Sequence, residues 1–218
     1  MEQYLVIDLE FCRVNRQVAR FGRYYGANET IEIGAVILNE DNTIADRFKS
    51  FVKPLYGMPD AAVSSLTGIT EEDLKDAPSL EKALRDMAVW MGSRKLIAAS
   101  WSDADYVQLS VEMEQKRIRN ESVEALFENW VDLQKAYTEL KGQDHQVSLK
   151  SAMEESLIAA EGKLHDGADD AFNTAKLIGM IRAEKGESIN IKPIAEHLVY
   201  EEDMGVTMGS IFGNLKFD

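Results

Sequence analysis

The chain has 218 residues, 45% hydrophobic and 28% charged, a balance that excludes disordered, collagen-like and coiled-coil classes. A domain of that length buries roughly 70–75% of the surface its unfolded chain exposes and needs no covalent staple. One cysteine, Cys12, excludes a disulfide framework or cysteine zinc site within one chain; 24 basic against 38 acidic residues give a formal charge of −14, which repels nucleic acid at long range if it is evenly spread.

No apolar run approaches the ~20 residues that cross a bilayer. The first residues, Met-Glu-Gln-Tyr, lack the basic and apolar stretches of a signal peptide. The expectation is a cytoplasmic protein with no membrane partner.

Residues 4–11 (YLVIDLEF) form an apolar, β-branched run that reads as a buried strand. Residues 30–38 (TIEIGAVIL) read as a second strand, with a turn at 39–42 (NEDN). Residues 43–53 alternate as a third, ending at Pro54. Three consecutive strands with one short turn predict an antiparallel meander. Thr70, with Asp73 three residues on, caps a short helix. Ser79 caps another whose apolar stripe is Leu80, Ala83, Leu84, Met87 and Met91. Residues 95–100 (KLIAAS) read as a short strand leading into a helix near 104–119; 130–133 read as a last strand, with helices near 148–160 and 169–184. This order predicts an α/β fold in which a mixed sheet is flanked by helices.

Residues 1–186 are expected to form one domain. Residues 187–218 differ: Gly205, Gly209 and Gly213 recur at spacing four among Val206, Met208, Ile211, Phe212 and Leu215. This extension packs on the domain or makes a dimer contact, so the chain is expected to be a monomer or a homodimer.

Three groups of residues suggest chemistry. Asp8-Leu9-Glu10 places two carboxylates on one face of a strand. Side by side on an apolar strand they repel each other and are costly to desolvate, and a divalent cation with a taste for hard oxygen removes both penalties. Acid-x-acid triplets recur by chance in a chain this acidic, so the pair reads either as a metal site or as a solvated strand end. Asp103 and Asp105 follow the fourth strand, where sites gather in open sheets, although either could simply cap the next helix. His165 precedes the last long helix across Gly167, with Asp170 in its first turn; such a histidine is commonly a structural hydrogen bonder. His145 and His197 lack carboxylate-rich, strand-flanked surroundings.

Taken in order, D-x-E on the first strand, W-x-x-x-D after the fourth and H-x-x-x-x-D on a late helix resemble the DEDDh 3′–5′ exonucleases. The resemblance covers residues 1–185. Leu66-Thr-Gly-Ile-Thr70 resembles the family's segment between third strand and first helix, and Ile31-Glu-Ile-Gly-Ala-Val36 its second strand. It implies a ribonuclease H-like fold: a mixed five-stranded sheet made of a three-strand antiparallel meander plus parallel strands. It implies that Asp8, Glu10, Asp105 and Asp170 hold two Mg²⁺ or Mn²⁺ ions and that His165 is the general base. The branch that uses a tyrosine near the last Asp is disfavoured, because His165 stands five residues before Asp170. Ser102 replaces a frequent Gly, and Asp166 replaces a frequent basic residue after the His, which leaves the local charge open. With Gly167 and Asp170, Asp166 resembles the branch of histone-mRNA and small-RNA exonucleases; bacterial proteins grouped with a sporulation inhibitor look similar too.

The implied reaction is stepwise hydrolysis at the 3′ end of single-stranded RNA or DNA, RNA slightly favoured, releasing nucleoside 5′-monophosphates. Two metal ions would serve the attacking and leaving oxygens, and an imidazole near neutrality would take the water's proton. The acidic net charge is no bar, because metal ions reverse the field at a carboxylate cluster. Residues 11–28 also break the acidic pattern, with Arg13, Arg16, Arg20 and Arg23, no Asp or Glu, and Phe21, Tyr24 and Tyr25. Expected substrate contacts are Arg20, Arg23 and Tyr24 in this insertion, with Leu66, Thr67 and Trp101; the insertion reads equally as a solvated loop whose rings pack locally. The rival reading is a regulatory or interaction protein that keeps the fold without catalysis.

Overall fold

The computed structural model describes residues 3–185. The glycine-spaced extension, the expected boundary at 186 and His197 lie outside the described residues. In chain order the elements are β1 (Gln3–Arg13), α1 (Arg16–Phe21), β2 (Asn28–Leu38), β3 (Ile44–Phe51), α2 (Ala61–Thr67), α3 (Glu71–Leu74), α4 (Leu80–Met91), β4 (Leu96–Ser100), α5 (Ala104–Lys116), α6 (Glu121–Glu124), a 3₁₀ turn (Ala125–Asn129), β5 (Val131–Asp132), α7 (Leu133–Lys141), α8 (Leu149–Glu155) and α9 (Gly167–Lys185).

The sheet has the order β3-β2-β1-β4-β5. β1–β2 and β2–β3 pair antiparallel, while β1–β4 and β4–β5 pair parallel. The mixed five-stranded sheet expected from the sequence is therefore present, meander first.

Several helices differ from the sequence reading. Residues 11–28 contain α1, started by Asn15, whose side chain accepts the Gln17 and Val18 amides. Asp132 ends β5 and at once caps α7 through the Lys135 amide, leaving no loop to announce that helix. α8 stops at Glu155, short of the expected residue 160, and Leu157 beyond it adopts a left-handed φ of 56°. The predicted caps at Thr70 and Ser79 are formed, the former as a reciprocal capping box with Asp73.

Alternation along β1 decides where the site lies. Leu5, Ile7 and Leu9 join Ile33, Ala35 and Ile37 of β2 in a core with α4 and α5. Tyr4 and Val6 join Val36 and Leu38 in a second core with α7, α8 and α9. Asp8 and Glu10 continue the Tyr4–Val6 row, so the pleat points both carboxylates to the α9 side of the sheet. Across the β1–β2 ladder Asp8 lies opposite Gly34, and Glu10 opposite Glu32.

Candidate active site

β4 pairs with β1 only over residues 3–6, so the amide edge of β1 beyond Val6 is open on that side. Asp105, in the first turn of α5, fills the opening: its Oδ1 accepts the Leu9 amide at 2.9 Å. Asp105 is thereby more than a helix cap, being buried and tied to the strand that carries Asp8 and Glu10. The arrangement lies where the chain order switches between β1 and β4, the usual crevice of an open α/β sheet.

α9 reaches the same place because glycine lets it. A Cβ on Gly34 would lie 2.0 Å from the Gly167 carbonyl carbon, and a Cβ on Gly167 would meet the Asp8 carbonyl and Glu32 Oε1 at 3.0 Å each. The first turn of α9 thus rests on bare β2 backbone, with Asp170 facing Asp8. One oxygen of Asp170, Oδ2, accepts the His165 amide at 2.8 Å, while its buried Oδ1 has no hydrogen-bond partner among the described residues. His165 itself is exposed and holds a left-handed φ of 61°. Ligand atoms of Glu10, His165 and Asp170 all lie within 4.8 Å of one another.

The crowding shows in the acids' proton affinities. Burial, then the charges of Asp105, Glu10, Asp170 and Glu32, hold the Asp8 carboxyl well above the ordinary carboxylate range. Burial and Glu32 push Glu10 up to about 8. Burial raises Asp105 to about 7 despite the opposing Leu9 amide. Asp170 is raised by burial, against the His165 amide. A cluster of acids that resist ionising together, with an orphaned buried carboxylate oxygen, suits a hard divalent cation: hard oxygen donors, an unmet acceptor and repulsion that positive charge relieves.

Two residues near the cluster went unassigned in the sequence reading. Glu32 is buried, its Oε1 without a hydrogen-bond partner among the described residues, and Lys49 on β3 bridges Glu32, at 3.2 Å, and Asp166. The local charge left open by Asp166 is therefore answered by an ammonium from the edge strand. Glu32 was legible as the residue two before Gly34 on the same face; Lys49 carried no signal until register placed it. The loop before α9 is pinned elsewhere too, as Lys163 donates to the Thr67 carbonyl at 2.7 Å and Asp169 accepts the Lys163 amide at 2.8 Å.

The expected substrate contacts divide. Leu66, Arg20 and Arg23 are exposed. Tyr24 is buried, its ring stacked on Tyr56 and its hydroxyl donating to the Asn28 carbonyl, so it cannot offer a face to a base. Trp101 is buried against Tyr137 and donates to the Val147 carbonyl. The Thr67 hydroxyl is spent inside α2, donating to the Val63 carbonyl and accepting the Ile69 amide. These three side chains serve the interior, because each had a polar group that a nearby backbone partner could satisfy.

The family model described as Exonuclease matches residues 5–178. Mouse 3′-5′ exoribonuclease 1 is 26% identical over 162 residues, covering 69% of this chain and 46% of that protein. Human ERI1 exoribonuclease 2 is 28% identical over 197 residues, covering 79% and 27%. The chain spans at most about half the length of these curated relatives. The nuclease domain of 3′hExo, a DEDDh family member solved with bound rAMP, superposes with a TM-score of 0.72 at 22% identity, covering 88% of this chain and 96% of that one. At that identity the superposition speaks for the shared fold, while the family match speaks for descent. The chain belongs to the exonuclease family.

Proposed function

We propose that the chain is a metal-dependent 3′–5′ exonuclease that removes nucleoside 5′-monophosphates from single-stranded nucleic acid, with RNA favoured over DNA. The observation that carries this reading is the convergence of Glu10, His165 and Asp170 within 4.8 Å, beside Asp8 on the same strand face and the buried Asp105. Asp8, Glu10, Asp105 and Asp170 would hold two Mg²⁺ or Mn²⁺ ions. Bound there, divalent cations supply a more acidic water and relief of the charge that develops on the phosphoryl oxygens.

The chain's own groups supply the rest. His165, exposed at the mouth of the acid cluster, takes the proton of the attacking water on a ring nitrogen. Its backbone amide on Asp170 and the Lys49–Asp166 pair fix the turn that presents the ring. Leu66, half exposed at the end of α2, offers an apolar surface for the terminal base. The RNA preference is supported by the exoribonuclease relatives. Cys12, buried and free, suits the reducing cytoplasm in which we place the chain, as a monomer or a homodimer.

End-labelled RNA and DNA strands, incubated with the protein and Mn²⁺ or a chelator, test the reading. Stepwise Mn²⁺-dependent shortening from the 3′ end is expected, faster on RNA. Binding without shortening would favour the regulatory alternative.

A further inference from the structure

The segment between β1 and β2 carries a surface unlike the rest of this acidic chain. Arg13, Arg16, Arg20 and Arg23 are all exposed, and among the described residues none of them makes an ion pair. Other exposed arginines do pair, as Arg85 does with Glu81. Phe21 is 93% exposed and Tyr25 75% exposed, although both rings would lose unfavourable contact with water if covered. Unpaired cations beside bare aromatic faces are the two components with which proteins grip single strands.

The surface is held stiffly from below. Tyr24 stacks on Tyr56, with ring centroids 5.3 Å apart. Lys116 of α5 lies 2.6 Å from Glu29 and 2.7 Å from Glu112, both fully buried. Glu29 accepts the amides of Leu55, Tyr56 and Gly57, and Glu112 accepts the Thr30 amide and hydroxyl. Gln115 of the same helix accepts the Tyr25 amide at 3.3 Å. One end of α5 thus carries Asp105 into the acid cluster and the other end anchors the basic surface. Along β1, Glu10 and Arg13 are three residues apart, about 10 Å in an extended strand.

We infer that α1 and Tyr25 form a platform for single-stranded nucleic acid on the 5′ side of the bond to be cut, with Arg16, Arg20 and Arg23 on phosphates and Phe21 and Tyr25 against bases. The inference rests on the exonuclease reading and adds a second, electrostatic contact zone to it. A strand long enough to leave the acid cluster crosses α1, and its phosphates find there a group of arginines without acidic partners in a chain of net charge −14. Burying the two rings under bases removes exposed apolar surface from water.

Binding is measured in the full chain carrying His165→Ala to slow turnover, with Mn²⁺ and a fluorescent oligoribonucleotide, by anisotropy across a salt series. Arg16→Gln/Arg20→Gln/Arg23→Gln is expected to weaken binding at low salt and to make the slope of log affinity against log salt shallower by about 2, since each single-strand phosphate contact contributes about 0.7. Arg20→Gln alone is expected to reduce the slope by about 0.7. Phe21→Ala/Tyr25→Ala is expected to weaken binding by about fivefold or more with the slope retained, the mark of stacking. An unchanged slope in the triple variant overturns the platform. So does poly-glutamate binding as tightly as the oligonucleotide, which would assign the surface to an acidic protein. Failure of the exonuclease reading is seen separately, as absence of Mn²⁺-dependent shortening by the unmodified chain.

Discussion

Gly34 in β2 and Gly167 at the start of α9 touch backbone to backbone, leaving no room for a Cβ at position 34. That contact sets Asp170 over the Asp8–Glu10 strand, so a methyl group there should act on the site as well as on stability. Gly34→Ala is expected to cost about 1–3 kcal/mol in denaturant unfolding and to weaken Mn²⁺ binding, because the backbone it strikes cannot rotate away. Gly179→Ala is the control: its Cβ meets nothing closer than 3.5 Å, and it is expected to be neutral or slightly stabilising in the helix. Equal Mn²⁺ affinity in Gly34→Ala and the unmodified chain would count against the contact as the element that positions Asp170.

The crowded carboxylates give the metal-free protein a defined pH dependence. Glu10 titrates near 8 and Asp105 near 7 in the fold, against about 4 in an unfolded chain. Between those values the folded state holds more protons than the unfolded one, so raising the pH through that window removes stability. The thermal midpoint without metal is expected to fall as pH rises from about 5 to about 8, with a shallower fall in Glu10→Gln. Mn²⁺ binds the deprotonated acids, so its stabilising shift is expected to grow over the same range. A Mn²⁺-induced shift that shrinks towards pH 8 would contradict this.

Lys49 joins the buried Glu32 to Asp166, next to the histidine. Lys49→Met is expected to lower kcat about 10–100-fold, the usual effect of losing a group that orients a site residue, with little change in KM. Lys49→Arg is expected to recover much of the loss, since it restores the cation. A role confined to stability would instead lower the melting midpoint and leave kcat per folded molecule unchanged.

The sheet and the Asp8–Glu10 pair were largely legible in the sequence because both follow from period-two alternation, whereas Asp105 and Asp170, on helices, joined that pair only through the order of the motifs. Tyr4, Val6, Asp8 and Glu10 lie on one face by pleat alone, and the three strands before Pro54 could hardly pair otherwise than as a meander. The α1 helix was not legible: its residues lack an apolar stripe, and its start depends on the Asn15 side chain. α7 was hidden because Asp132 is both the end of a strand and a cap. Tyr24 looked like a base-stacking ring, and only tertiary packing on Tyr56 shows that Phe21 and Tyr25 carry the open faces. Lys49 lies far from Asp166 in sequence and meets it only through β2–β3 register.

His165 presents its ring from a left-handed turn that Asp170 secures through the His165 amide. His165→Ala is expected to reduce kcat by about 10²–10⁴-fold, the range of general-base catalysis, while Mn²⁺ affinity changes little. Wild-type turnover in that variant would remove the base from the account.

The shared cation site is tested most directly by calorimetric titration of Mn²⁺ into the unmodified chain and into Asp8→Ala and Asp170→Asn. Saturable binding in the first and its loss or strong weakening in both variants are the expected results. Mn²⁺ binding that survives unchanged in either variant would contradict the convergence of these acids on a common metal.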